Sequence, residues 1–206
     1  MKRQFRLFLL FLSVTMAAAG CSVAPTKAYP VKKQYVIDVT RPEGNVGNQA
    51  LVGVKVRRFR IAAAFARNTL TYRTKEVVYE TDFYNEFLTS PENLITNEVT
   101  EWLNDSGEFM LVAGLESWAS TSYVLEGNIT ALYGDFANPD EPNAVLEIQI
   151  FLIDDAADVS AVVFQKTYRK TTALADKSAV SVVHGFNICL AEFLTDLEAD
   201  LKTSLQ

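Results

Sequence analysis

The sequence predicts an α/β fold, a mixed and largely antiparallel sheet with two main helices packed on it. Residues 122–136 and 144–153 alternate between apolar and polar side chains, and 161–171 is predicted to be a third strand, whose lysines and arginines suit a solvated or edge position. Turn-forming residues separate the three segments, which is typical of an antiparallel meander. Apolar side chains recur every three or four residues in 91–104 and again in 176–205. That spacing predicts two amphipathic helices, each with one face to bury on the sheet.

The first half of the chain supplies the remaining strands. Alternation predicts strands over residues 33–39 and 51–61, and residues 68–80 favour a hairpin. The first helix is expected to begin with Ser90 as its cap and Pro91 at its first position, and to end near Gly107. A short apolar strand, 109–112, follows that helix.

The inward faces of the long strands follow from the same alternation. In 122–136 we expect Tyr123, Leu125, Ile129 and Tyr133 to share one face, and the glycine in mid-strand, Gly127, indicates a bulge or a close approach of another group. In 144–153 the inward residues are Leu146, Ile148, Ile150 and Leu152.

The pattern of residues 1–20 is typical of a secretory signal. A basic start precedes a short apolar run, which is below the roughly 20 residues that span a bilayer. Ala18, Ala19 and Gly20 then precede Cys21, and these four residues resemble the lipobox of bacterial lipoproteins. The resemblance implies cleavage before Cys21 and acylation of that residue by diacylglycerol and a fatty acid such as palmitate. Because Ser22 rather than Asp follows, it also implies the outer membrane. The alternative is a plain secretory signal followed by a chance cysteine.

Removal of the signal leaves 186 of the 206 residues, with 16 basic and 25 acidic side chains and a net charge of −9. We predict a flexible tether, 21–32, with two prolines, and one domain over 33–206. An acidic domain lacks the positive field that attracts phosphate backbones, so nucleic acid is not an expected partner. Arg57, Arg58 and Arg60 cluster at a strand end. We expect a solvated end that pairs with the protein's own carboxylates, with contact to an anion or an acidic partner as the alternative.

The sequence offers few residues for chemistry, and no catalytic, cofactor-binding or metal-binding residue is predicted. His184 is the only histidine, and no nucleophile motif accompanies it. Asp154, Asp155 and Asp158 do not match a calcium-loop spacing and favour a solvated turn. Cys189 lies among apolar residues and is expected to be buried. A glycosidase-like pair of carboxylates stays open as an alternative.

The order of elements carries a second resemblance. A lipobox and tether lead to a Tyr35-containing strand, a Val-x-Val strand over 52–56, a Tyr-Arg-Thr segment at 72–74, and an aromatic stretch that runs into the helix at Pro91. This layout resembles the ABC-type transport auxiliary lipoproteins, a family that includes the paraquat-inducible protein C group. The resemblance implies a fold similar to the amino-terminal domain of TolB.

The same resemblance implies a function without catalysis or cofactor. The protein would be an outer-membrane lipoprotein that faces the periplasm and works with an ABC transporter or an MCE-domain protein complex, which move lipids between the two membranes. Homo-oligomerisation stays open. The alternatives are an envelope assembly or secretion lipoprotein without an ABC partner, and a periplasmic hydrolase.

Overall fold

One mixed sheet and two helices make up the computed structural model, which describes residues 31–42, 50–114, 116–156 and 159–205. The predicted signal, Cys21 and nearly all of the tether lie outside these described residues. The elements in chain order are β1 (Lys33–Tyr35), β2 (Ala50–Val56), β3 (Arg60–Ile61), β4 (Thr69–Lys75), β5 (Val78–Phe87), α1 (Pro91–Ser106), β6 (Phe109–Ala113), β7 (Tyr123–Asp135), β8 (Asn143–Asp154), β9 (Ala161–Ala173) and α2 (Ala179–Ser204).

Strand β7 is the centre of the sheet. One of its edges pairs with β8 in antiparallel register along the whole strand, and β8 pairs with β9 in the same way. The other edge is occupied in succession by β2, β3 and β4, all parallel to β7. Strand β6 lies beside β2, β5 beside β4, and β1 beside β5. The predicted fold class, including the meander and the hairpin, is confirmed, while the specific likeness to TolB stays a prediction.

Both helices begin and end close to the predicted residues. Helix α1 has Pro91 in its first turn and ends at Gly107, whose φ of 65° suits glycine. Ser90 occupies the cap position, but its hydroxyl makes no capping hydrogen bond. Helix α2 is capped by Ser178, whose side chain accepts a hydrogen bond from the Ser181 N–H at 3.2 Å. Among the described helices, α2 alone is long and apolar enough to cross a membrane by length and composition, and here its apolar stripe packs into the protein core.

The core lies between the two helices and the sheet. The four residues predicted to face inward on β8, Leu146 to Leu152, are at most 2% exposed. Helix α2 approaches β8 closely at Gly185, where a Cβ would lie 2.6 Å from the Cβ of Ala144. Cys189 is fully buried as predicted, and burial raises the pKa of its thiol. A side chain larger than hydrogen at position 185 would therefore push the helix from the sheet.

Three sequence predictions about the strands are wrong in detail. The first strand covers only Lys33–Tyr35, and the strand predicted over 51–61 is interrupted between β2 and β3. Tyr133 does not share a face with Leu125 and Ile129. The register of β7 against β8 shifts between Ile129 and Ala131, which moves Tyr133 into a second apolar cluster, separate from the main core. One shifted residue reverses the face of all that follow, because side chains alternate along a strand.

Candidate functional site

Strands β2 and β3 run beside the first half of β7, and the segment between them contains one extra residue. Val56 pairs with Leu125 and Arg60 pairs with Asn128, so three residues of one chain stand opposite two of the other. This is the arrangement of a β-bulge, which re-aims side chains locally. Phe59 is turned into the core, at 1% exposure, whereas Arg57, Arg58 and Arg60 are exposed.

Phe59 fixes the bulge through two contacts. Its backbone N–H donates a hydrogen bond to Thr96 Oγ1 of α1 at 3.0 Å. Its ring lies against Gly127, where a Cβ would approach ring carbons to 2.4 Å. The close approach predicted at Gly127 is therefore confirmed, and glycine is required there because any side chain would displace the ring.

Arg57 and Arg58 of the bulge and Arg60 at the start of β3 line a groove of about 440 Å³, which we call the arginine groove. Its other lining residues come from β7 and β8: Glu126, Gly127, Asn128, Gln149 and Phe151. The residues that alternate with them, such as Leu125 and Ile129, belong to the core. The groove therefore opens on the face of β7 opposite the core.

The arginine groove carries more positive than negative charge. Arg57 Nη1 donates to Glu126 Oε1 at 2.6 Å. Neither Arg58 nor Arg60 has an ion pair with any carboxylate in the described residues. The expected pairing with the protein's own carboxylates is thus confirmed for Arg57 alone, and two guanidinium groups remain to attract an anion.

At its C-terminal end, the face of β7 that carries the arginine groove has a packed aromatic cluster whose charged side chains are paired. The Tyr133 ring stacks on Phe65 at 5.8 Å between centroids and meets the edge of Tyr79 at 5.4 Å. The Arg73 guanidinium lies 5.5 Å from the centre of the Tyr133 ring and is paired with Asp135. Because each charge here has its partner, this end has the character of a structural cluster rather than a binding site.

The segment after β1 is held by a contact that the sequence did not reveal. Arg41 donates two hydrogen bonds to the Glu198 carboxylate, at 2.9 and 2.8 Å, and Trp102 Nε1 donates a third at 2.8 Å. The hydrogen bond from Arg41 lowers the pKa of Glu198. These residues join the entry of the domain to both helices. No local pattern marks Arg41, because it lies in a loop far from its partner in sequence.

The residues considered for chemistry are not brought together. His184 is exposed on α2, whereas Cys189 is buried on the same helix. Asp154 accepts a hydrogen bond from the backbone of Ala156 at 3.0 Å, as expected for a turn, and Asp158 lies outside the described residues. In the part of the chain that the structure describes, no group of three or more His, Cys, Asp or Glu side chains is placed to hold a metal ion.

Exposed apolar side chains lie near both ends of β7. Beside β1, where the chain enters the domain, Phe83 is 69% exposed and packs edge-on against Tyr84. At the opposite end, Met110 on β6 is 60% exposed, and Trp118 in the loop before β7 is 99% exposed. Trp and Tyr are enriched among the residues that contribute most to protein interfaces, so Trp118 and Tyr84 are candidates for contact with a partner.

Comparison with known proteins shows the fold alone. No protein-family profile matches the chain, and no curated protein matches it in sequence. A crystal structure of a Xanthomonas campestris protein assigned to DUF330 superposes with a TM-score of 0.74 at 16% identity, covering 84% of this chain and 96% of that one. The crystal structure of an uncharacterized protein gives 0.62 at 13% identity, covering 85% and 99%.

A hypothetical protein from Chlamydia trachomatis is a more distant structural relative. It gives a TM-score of 0.51 at 11% identity and covers 76% of this chain and 98% of its own length. All three neighbours are matched over nearly their whole length. The sheet and its two helices are therefore a fold that also occurs in proteins of Xanthomonas campestris and Chlamydia trachomatis.

Proposed function

We propose that this protein is a lipid-anchored component of the bacterial cell envelope that assists transport without catalysing a reaction. The observation that carries the proposal is the sequence at residues 18–21, where three small residues end the predicted secretory signal and Cys21 follows. A fold shared with a DUF330 protein is compatible with this proposal. The anchored domain would face the periplasm from the outer membrane.

The physical basis of the anchor is the number of acyl chains. A single chain holds a protein only marginally and reversibly, whereas two or more hold it stably. A triacylated Cys21 would need no further membrane element. Residues 21–32, fully extended, would reach about 40 Å from the bilayer at roughly 3.3–3.6 Å per residue. The domain that begins at β1 would therefore stay close to the membrane and would be free to meet a partner.

The proposed partner is an ABC transporter or an MCE-domain protein complex that moves lipids between the membranes, as the family resemblance implies. Docking, rather than chemistry, would be the mechanism. Two exposed apolar side chains support a docking role: Met110 on β6, which lies beside β2 near the start of β7, and Trp118, five residues before β7 begins. We propose that this end meets the partner, and that it does so with one or more copies of the chain.

A pull-down from detergent-solubilised membranes tests the proposal. We expect the wild-type chain to bring down an ABC ATPase, a permease or an MCE protein, and Cys21→Ala to be lost from the membrane fraction. Trp118→Ala should stay anchored but lose the partner, whereas Tyr84→Ala, an exposed aromatic at the other end, should keep it. Two differently tagged copies of the chain in one cell would report self-association.

The same experiment separates the alternatives. If Cys21→Ala remains in the membrane, the lipoprotein proposal is wrong. If the anchor behaves as expected but only assembly or secretion proteins are recovered, the transport role is wrong and the assembly role replaces it. A hydrolase would instead show turnover that one carboxylate substitution abolishes while the chain remains folded.

A further inference from the structure

We propose that the arginine groove is a binding site for a phosphate monoester, carried either by a lipid such as phosphatidic acid or by a water-soluble molecule. This inference concerns the open face of β7 and does not depend on the anchor at Cys21 or on a transport partner. It rests on charge, on the chemistry of the lining and on the way in which the bulge is held.

The charge of the groove opposes that of the whole protein. The whole chain carries a net charge of −6, so the positive sign of the groove is local. In the groove, Arg57, Arg58 and Arg60 face one carboxylate, Glu126, which leaves an excess of two positive charges among the lining residues. A phosphate monoester carries about −1.5 to −2 charges at pH 7, which matches that excess, whereas a single carboxylate would neutralise only half of it.

The lining suits a phosphate in its donors as well. The guanidinium group is a planar fork of N–H donors that binds phosphate oxygens in pairs. The side-chain amides of Asn128 and Gln149 add neutral donors, and the ring of Phe151 offers an apolar wall for the organic part of the ligand. The volume of about 440 Å³ lies within the range of small-molecule sites, roughly 300–1,000 Å³.

The groove is also held in place by the core. Phe59 lies between the arginines in sequence and is buried against Gly127, and its N–H is bonded to Thr96 of α1. The backbone that carries the three arginines is therefore fixed before a ligand arrives. A fixed backbone reduces the ordering cost of binding, so a small anion can be bound by three long side chains.

Calorimetric titration of the full chain in the form in which cells produce it, purified in a nonionic detergent, tests the site. The two probes are glycerol 3-phosphate and dihexanoyl phosphatidic acid. We expect binding that weakens as salt is raised, and a loss of about tenfold or more for the double variant Arg58→Gln/Arg60→Gln, because two charge-assisted hydrogen-bonding groups are removed. The matched control is Arg67→Gln/Lys75→Gln, which removes the same charge from two exposed residues outside the groove.

The two probes distinguish the sources of the phosphate. If both bind and compete, and the groove variant loses both, the phosphate group itself is recognised. If only the phosphatidic acid binds and the groove variant loses it, the ligand is a lipid. The proposal is overturned if neither probe binds, if the groove variant binds as well as the wild type, or if the control variant loses as much affinity. Unchanged thermal unfolding midpoints confirm that both variants are folded.

Discussion

The ring of Phe59 occupies the space in which a side chain at Gly127 would stand. A Cβ built on Gly127 would lie 2.4 Å from ring carbons of Phe59, a distance that no real contact reaches. The ring is 1% exposed and the backbone N–H of the same residue is bonded to Thr96 Oγ1. The two residues form a matched pair, since the glycine admits the ring and the ring holds the bulge that displays the arginines.

Gly127→Ala is therefore expected to destabilise the protein by about 1–3 kcal/mol, the usual cost of overpacking a core. The measurement is the free energy of unfolding in urea. Gly114→Ala is the matched control, because a Cβ there would meet Thr100 at an ordinary 3.4 Å. Equal losses for the two variants would show that the Phe59 ring is not the cause.

The long periodic segments could be predicted from sequence because local pattern and burial agree in them. The alternation of β8 fixes which residues face inward, and the stripe of α2 fixes its buried side. The edge position of β9 also follows from its lysines and arginines, which tolerate solvent. For these elements, the periodicity of the segment itself predicts both the type of element and its buried face.

Single-residue irregularities could not be predicted in the same way. The bulge at 57–59 and the register shift after Ile129 each depend on which residue of another strand stands opposite. The parallel pairing of β2, β3 and β4 with β7 likewise joins segments far apart in the chain. Periodicity carries no information about such partners. The signal that was available was Gly127, whose place in mid-strand indicated a close approach.

The candidate site could likewise be predicted only in part from the sequence. The three arginines were visible in the sequence as a cluster, but their pairing was not. The structure provides a partner for Arg57 and none within the described residues for Arg58 or Arg60. A charge cluster in sequence becomes a candidate site only when the surrounding carboxylates have been placed.

Glu198→Gln should cost about 2–3 kcal/mol at pH 7, because Arg41 would lose its charged acceptor in a largely buried position. The interaction holds the pKa of Glu198 below its ordinary value of 4.5. A lowered pKa in the folded state stabilises the protein above the unfolded value, and that stabilisation is lost as the pH falls through the folded value. The difference between wild type and variant should therefore shrink below pH 4.5.

Urea unfolding at several pH values between 3 and 7 measures this difference in free energy. Glu192→Gln is a suitable control, because Glu192 lies on the same helix, is exposed, and has no ion pair within the described residues. It should change stability little at any of these pH values. A wild-type advantage over Glu198→Gln that grows as the pH falls would contradict the assigned role of the ion pair.

Tyr133 should be replaceable by Phe but not by Ala. Its ring contacts Phe65, Tyr79 and Arg73. Its hydroxyl accepts a long 3.4 Å hydrogen bond from Arg169. Tyr133→Ala should cost about 3–5 kcal/mol, as for other buried aromatic residues, and Tyr133→Phe less than about 1 kcal/mol. Chemical denaturation measures both. If the two variants lose equal stability, the hydroxyl rather than the ring is what stabilises this face.

The number of reactive thiols tests both the burial of Cys189 and the lipidation of Cys21. Cys189 is fully buried, and burial raises the pKa of its thiol, so the native protein should not react at this position with Ellman's reagent at pH 8. After unfolding in guanidinium chloride, one thiol per chain should react if Cys21 carries lipid, and two if it does not.

Cys189→Ala provides the control, because the lipidated variant should then show no reactive thiol in either state. Two thiols from membrane-purified wild type would contradict lipidation at Cys21, and rapid reaction of one thiol in native, lipidated protein would contradict the burial of Cys189.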